Sequence, residues 1–476
     1  MTTSSKRRWP PYRFLVKRLL HEFVVPTNRL LLLAAAGVVP LGTGYALGAG
    51  TAAFWGWNGL LLALGIADVA MLPRRRHMSV QRLMPERADL GQPFEVELEL
   101  KCGEPRRLHV ELADDLPLVF GGALIGVGDP DTDLDTDPDR ARTPVLCGRM
   151  EAGRLRLRYE TYGGERGTYH FAAVGVRYSG GLGLWKKQAR LECPGDIRIY
   201  PDMSRVRGVL GSMQAALVLD GNRHSRRQRG GSEFESIRDY QQGDDVRHIH
   251  WQATARTAKL MTSVWQPERG KTVTLLLDCG RRTGTWLDGQ TKLDRALEAA
   301  LTLAAVALKQ GDSVSLAAFS GSIKLAVPAD KGLRHLHTLT EAVFDLRSEP
   351  AEANYGAVFS HVLQTQKKRS LLVLFSDMES YLHDRELAAY ALRLRRSHSL
   401  LLLSLSDPLL HGWSRVMPDS SRTAYIRSAA AKFTADRRAY VQKMAGQGIP
   451  VLDVPADRLA LSAVNAYLDL KAKDAL

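Results

Sequence analysis

Asp278 and Asp377 are the residues whose placement most directly suggests chemistry. Asp278 closes the apolar run Val273 to Leu277, and Asp377 follows Leu371 to Phe375, so each stands at the carboxyl end of a predicted strand. Ligands of open α/β sheets gather beyond those ends. A carboxylate pair there, completed by hydroxyls and water, suits magnesium, a hard cation that takes oxygen ligands in octahedral geometry. His248 or His250 could then act as base in a metal-dependent reaction.

Other constellations carry less. His248 and His250 share one face at strand spacing, without an accompanying carboxylate motif, which points to packing or surface roles. The alternating carboxylates Asp129, Asp131, Asp133, Asp135, Asp137 and Asp139 invite a calcium-loop reading. Counted from Asp131, however, the position that needs glycine is Thr136 and the closing acid is Arg142, so the tract reads as a solvated insertion. Cys102, Cys147, Cys193 and Cys279 lack metal or redox spacing and read as reduced thiols. No nucleophile elbow, phosphate loop or zinc motif is found.

The elements that would position the two aspartates follow from periodicity. From about 271 to 476, β-branched runs alternate with amphipathic helical stretches, the pattern of a doubly wound, mainly parallel sheet. Residues 78–201 alternate apolar and polar, as in Phe94 to Leu100, Leu155 to Tyr159 and Ile197 to Tyr200, with glycine and proline between the runs. One buried face per short strand predicts a small antiparallel β-sandwich. Residues 202–270 link the two.

Ahead of these domains lie two apolar stretches, Leu30 to Ala49 and Ala52 to Leu72, each about the length that crosses a bilayer as a helix. The short turn at Gly50 and Thr51 makes them an antiparallel hairpin, with Trp55 and Trp57 near the far interface. Much of the net charge of +14 flanks this hairpin. Lys6, Arg7, Arg8, Arg13, Lys17, Arg18 and Arg29 precede it within a basic leader, residues 1–29, and Arg74, Arg75, Arg76, Arg82 and Arg87 follow. That asymmetry places both ends, and the soluble domains with them, in the cytoplasm. Asp68, one turn from the helix end, reads as snorkelling or ion-paired with Arg74 to Arg76. The run Arg223, His224, Arg226, Arg227 and Arg229 could meet phosphates of lipid or nucleic acid, but no nucleic-acid motif accompanies it.

The densest run of unusual residues is Gly231 to Tyr240, continuing through Gly243-Asp244-Asp245-Val246-Arg247-His248-Ile249-His250-Trp251 to Ala255-Arg256. Gly243-Asp244-Asp245 signals a turn. Arg238, Arg247 and Arg256 could tie Glu233, Asp239, Asp244 and Asp245 into a network, with Phe234 and Trp251 as apolar pegs. Docking of the linker onto the sheet and a partner-binding surface are both open readings of this stretch.

On Glu233, Phe234, Arg238, Tyr240, Gly243, Asp244, Arg247, Trp251, Ala255 and Arg256, in order, the chain resembles the bacterial family named domain of unknown function 58. The resemblance covers essentially the whole chain. It implies a C-terminal von Willebrand factor type A-like domain and association with MoxR-type AAA+ ATPases. The type A-like fold usually carries an Asp-x-Ser-x-Ser metal site. Here Asp278 is followed by Cys279, Gly280, Arg281 and Arg282, so both serines are missing, and the stretch Asn354-Tyr355-Gly356 lacks the expected threonine. Arg282 could take the cation's place beside Asp278 or Asp377.

The expectation is an α/β protein of the bacterial inner membrane: a two-helix hairpin, a small β-sandwich, a signature segment and a type A-like domain. Its role would be a non-enzymatic adaptor that recruits a MoxR-type ATPase in assembly or maturation of other complexes, with magnesium possible at Asp278 and Asp377. The alternatives are a magnesium-dependent enzyme at those aspartates and a protein that binds nucleic acid or anionic lipid.

Overall fold

The computed structural model describes residues 24–121, 145–219, 233–242, 244–266, 270–287, 289–378 and 385–473. The basic leader before Val24, the acidic tract at 129–139, the basic run at 223–229, and Gly243 lie outside the described residues. The chain divides into two units, Met1–Ile199 and Tyr200–Leu476.

In the first unit a short strand β1 (Val24–Pro26) precedes helices α1 (Asn28–Ala36), α2 (Val38–Ala46) and α3 (Gly50–Met71). Two helical segments, Asn28–Ala46 and Gly50–His77, are long and apolar enough to cross a membrane. The first is interrupted at Gly37. Pro40 explains the break, since it has no N–H for the Ala36 carbonyl and its ring crowds that carbonyl. Gly37 is also where the helices approach closely, because a Cβ there would lie 2.2 Å from Trp57 Nε1. Trp57 therefore packs inside the hairpin, whereas Trp55 is exposed.

The rest of this unit is antiparallel: β2 (Met78–Leu83), β3 (Arg87–Asp89), β4 (Pro93–Cys102), β5 (Leu108–Asp114), β6 (Val145–Met150), β7 (Arg154–Tyr162), β8 (Gly167–Ser179) and β9 (Trp185–Tyr200). One sheet runs β1-β9-β8-β5-β6 with β3 on β9, and the other runs β2-β4-β7. Inward residues of both, among them Val96, Leu98, Leu100, Val174, Val176 and Ile197, share one core. Within that core Arg82 is bound by Asp114, Nη2 to Oδ1 at 2.5 Å. Tyr159 donates to Asp114 Oδ2 at 2.6 Å, and Arg82 reaches the Cys193 carbonyl at 2.6 Å. Burial and the Asp114 charge push the Tyr159 phenol far above its usual range.

The hairpin is tied to this β-structure through Asp68. Its carboxylate accepts the backbone N–H groups of Leu184 and Trp185 in the turn between β8 and β9. Thr27 donates to the Gly183 carbonyl in the same turn at 2.6 Å, and β1 pairs with the start of β9. Asp68 is thus held by backbone amides, in place of the snorkelling geometry or arginine pairing expected of it.

The second unit begins with α4 (Ser204–Leu219), followed by a two-stranded hairpin of β10 (Glu233–Asp239) and β11 (Met261–Gln266) that brackets α5 (Trp251–Thr257). Then come β12 (Thr272–Asp278), β13 (Trp286–Leu287), β14 (Gln290–Thr291), α6 (Lys292–Lys309), β15 (Ser313–Phe319), β16 (Ile323–Asp330), α7 (Leu333–Val343), α8 (Tyr355–Thr365) and β17 (Ser370–Phe375). The unit closes with α9 (Arg385–Leu394), β18 (Ser399–Leu405), α10 (Pro408–Arg415), α11 (Ser421–Gly446), β19 (Val451–Val454) and α12 (Leu459–Ala472).

The main sheet has the order β16-β15-β12-β17-β18-β19. It is parallel apart from the edge strand β16. Both faces are covered, so the strands read as continuous apolar runs: Leu275 and Leu277 pack with α6 and α12 on one side, and Leu276 packs with α8 and α9 on the other. From β12 the chain crosses first to β15 and later to β17, on opposite sides. The carboxyl ends of β12 and β17 therefore flank a topological switch point, where such sheets open a crevice.

Candidate functional site

Asp278 ends β12 and Asp377 follows β17, and both are buried. The structure brings them to the same sheet edge, as their positions in the sequence suggest. Around Asp278 every donor is neutral. Gly280 N–H donates to Oδ1 at 2.7 Å, and the hydroxyls of Ser376 and Tyr355 donate to Oδ2. The single Tyr355 proton is shared between Oδ2 and Ser376 Oγ, which lies 2.7 Å away. Burial raises the Asp278 pKa, with a smaller upward push from the Asp377 charge, and these hydrogen bonds offset part of the rise.

Asp377 meets a cation that belongs to the chain. Lys292 Nζ binds Oδ2 of Asp377, with the lysine side chain 13% exposed. Lys292 is the first residue of α6, directly after Thr291, which forms a capping box with Asp294. A helix N-terminus disfavours positive charge, so the carboxylate in front of it compensates the ammonium. Thr283, Lys292, Ser376, Asp377 and Ser404 line a cavity of about 10 Å³, about the room one water takes. This donor set does not fit a divalent cation, because one carboxylate already holds an ammonium and the other is filled by hydroxyl and amide donors. No group of three or more histidine, cysteine or acidic side chains is arranged for a metal among the described residues.

The signature residues form a separate feature on the hairpin β10–β11. Glu233 pairs with Gln266 and Phe234 with Trp265 in the ladder. Arg238 binds Asp244 at 2.8 Å, and Asp244 also accepts Gln241 N–H at 2.9 Å, closing the turn. Tyr240 fixes the same turn by donating to the Asp244 carbonyl at 3.2 Å. Asp245 accepts Arg247 N–H at the start of a short 3-10 turn. His250 caps α5 by accepting Ala253 N–H at 3.1 Å, and the His248 carbonyl accepts Thr262 Oγ1. The His250 imidazole therefore serves local structure, whereas His248 takes part through its backbone.

Part of the expected carboxylate–arginine network is present, at Arg238 and Asp244. Of the two expected pegs, the Phe234 side chain lies outside the described residues and Trp251 is no peg. Trp251 is 69% exposed, and Val246, Ile237 and Leu260 are exposed with it. Arg247 and Arg256 are exposed as well. The segment thus ties Arg238, Tyr240 and Asp244 into a turn and presents Trp251, Val246, Ile237 and Leu260 to solvent.

Residues 236–416 match the family model described as protein of unknown function DUF58. The DUF58 match takes in most of the β10–β11 hairpin and both aspartates, and it stops just after α10. An uncharacterized protein of Mycobacterium tuberculosis is 26% identical over 262 residues, 52% of this chain and 81% of that protein. The uncharacterized protein YeaD of Bacillus subtilis is 27% identical over 209 residues, 44% of this chain and 52% of its own length. Among solved structures, the conserved hypothetical protein BatB from Bacteroides thetaiotaomicron aligns with 43% of this chain and 100% of its own, at 14% identity and a TM-score of 0.30.

The strand-end pattern does not mark Lys292, Ser376 or Thr283. Lys292 alone carried a signal, as a lysine at the first position of a capped helix, where a cation needs a carboxylate partner.

Proposed function

We propose that this chain is a membrane-anchored, non-enzymatic adaptor whose β10–β11 module binds a protein partner. The observation that carries the reading is the exposure of Trp251, Val246, Ile237 and Leu260 on one module whose turn is fixed by its own polar residues. Interfaces favour tryptophan and arginine at their energetic centres, and Arg247 and Arg256 are exposed on the same module. By the family resemblance, the partner is a MoxR-type AAA+ ATPase acting in assembly or maturation of other complexes. The two apolar helical segments and their flanking arginines support an inner-membrane anchor with cytoplasmic soluble units. A C-terminal von Willebrand factor type A-like domain agrees with the doubly wound sheet.

The competing reading, a magnesium-dependent enzyme at Asp278 and Asp377, has less support, since Lys292 already neutralises Asp377. Co-purification tests the adaptor. Full-length protein in detergent should retain an ATPase of that class in at least one nucleotide state. Failure in the nucleotide-free, ATP-bound and ADP-bound states alike would sink the assignment.

A further inference from the structure

One cluster of exposed apolar side chains in the second unit is left unexplained by the signature module. Leu409, Trp413, Met417 and Tyr425 are exposed within 17 residues of sequence, Met417 at 82% and Tyr425 at 77%. Leu409 and Trp413 are four residues apart and lie on one face of α10. The half-buried Leu410, His411 and Ser414 lie on the rest of that helix, which packs along α11.

Positive charge predominates on this helix pair. Arg415, Arg422, Arg427, Lys432, Arg438 and Lys443 are all exposed, against the exposed carboxylates of Asp419 and Asp436. Arg437, by contrast, is buried in a bidentate pair with Asp453 at 2.6 and 2.9 Å. The DUF58 match ends at 416, so α11 lies beyond what that family model describes.

Exposed leucine, methionine, tryptophan and tyrosine bordered by arginine and lysine are the composition of helices that lie in a lipid headgroup layer. We propose that the α10–α11 pair is a second, reversible membrane contact that docks on the anionic headgroups of the bilayer holding the chain's own spans. The inference rests on the membrane-anchored reading. Tethering supplies the high local concentration that lets a weak surface contact form, and the basic residues draw it to anionic lipid.

Tryptophan quenching by bilayer lipids with brominated acyl chains tests this on the full-length protein in nanodiscs. The chain has 8 tryptophans, so one docked indole accounts for about one-eighth of the emission. With phosphatidylglycerol present, the wild type should lose that much more emission to bromine than Trp413→Phe does. The Trp413 increment should vanish in phosphatidylcholine alone, and also in the Arg415→Glu/Arg422→Glu variant. Equal quenching of Trp413 in both bilayers, or none in either, overturns the proposal. Trp55 reports on the anchor separately: absence of Trp55-dependent quenching would overturn the spanning hairpin instead.

Discussion

The Asp68 carboxylate accepts the Leu184 backbone N–H at 2.9 Å, joining the last turns of α3 to the turn between β8 and β9. Trp185 N–H reaches the same oxygen at 3.0 Å, and Asp68 is only 2% exposed. A buried acid near the end of an apolar helix is costly unless it is bonded, and here two amides supply the bonds. Asp68→Ala would orphan both amides at about 1–3 kcal/mol each. The expected result is a lower unfolding temperature for the first unit and earlier proteolysis near residues 180–185, with Asp68→Asn intermediate because it keeps one acceptor oxygen. Unchanged melting of Asp68→Ala would mean that the bonds do not hold the hairpin.

Asp278 makes stability depend on pH in an identifiable direction. Burial raises its folded-state pKa above the ordinary 3.8, so the fold favours the protonated acid. That contribution is fully present below the unfolded-state value and is lost as pH rises through the higher folded value. Asp278→Asn stays neutral and keeps an acceptor for Gly280 N–H. The variant should melt at or above the wild-type temperature at neutral pH, and the difference should shrink on acidification. Thermal scans across the acidic range check this; a variant that melts well below the wild type at neutral pH would contradict it.

Lys292 and Asp377 should behave as a coupled pair. Removing the ammonium leaves Asp377 charged and buried, which costs about 3–5 kcal/mol, whereas replacing both partners by apolar residues costs far less. A double-mutant cycle with Lys292→Met and Asp377→Leu should therefore show strong coupling. Calorimetry adds a second readout. The wild type should give no heat with magnesium or manganese. Tight magnesium binding by the wild type would revive the enzyme reading.

The first unit has a comparable keystone. Arg82 and Asp114 have side chains 1% and 0% exposed, and Arg82 also lies 4.7 Å from the centre of the Phe171 ring. Arg82→Met leaves the buried Asp114 without a cation, with Tyr159 and the Asp115 N–H as neutral donors, at a cost of about 3–5 kcal/mol. Denaturant unfolding should show the first unit weakened and the second unchanged. Arg82→Met/Asp114→Leu should recover much of the loss.

How much of this was legible depends on whether a residue's role is local. The parallel sheet was, because strands buried on both faces must be continuous apolar runs, and Asp278 and Asp377 sat visibly at their ends. The edge strand β16 was not: Ile323 to Asp330 is half exposed and lacks such a run. Asp68 was legible as an anomaly, but its partners are amides more than a hundred residues away, and backbone donors leave no mark on composition. Arg82 reads in sequence as a juxtamembrane charge, although its side chain is buried with Asp114. Periodicity specifies which face of a strand turns inward, and it is silent on which charge across the core will meet it. Trp251 failed for the opposite reason, since an indole in an otherwise polar stretch is taken for core when its neighbours cannot say where the core is.

That exposed indole also separates binding from folding. Trp251 is solvent-facing, and so is Arg247, so Trp251→Ala and Arg247→Glu should each change stability by no more than about 0.5 kcal/mol. At the centre of an interface, truncating a tryptophan costs about 2 kcal/mol or more, which is roughly thirtyfold in affinity. The expected pattern is unchanged melting with loss of ATPase retention in co-purification. Arg238→Ala provides the contrast: it breaks the ion pair with Asp244 that closes the turn, so it should loosen the module and weaken retention while leaving Trp251 in place. If Trp251→Ala retained the partner at wild-type affinity, the interface would have to lie elsewhere on the chain, and the β10–β11 module would be only a linker.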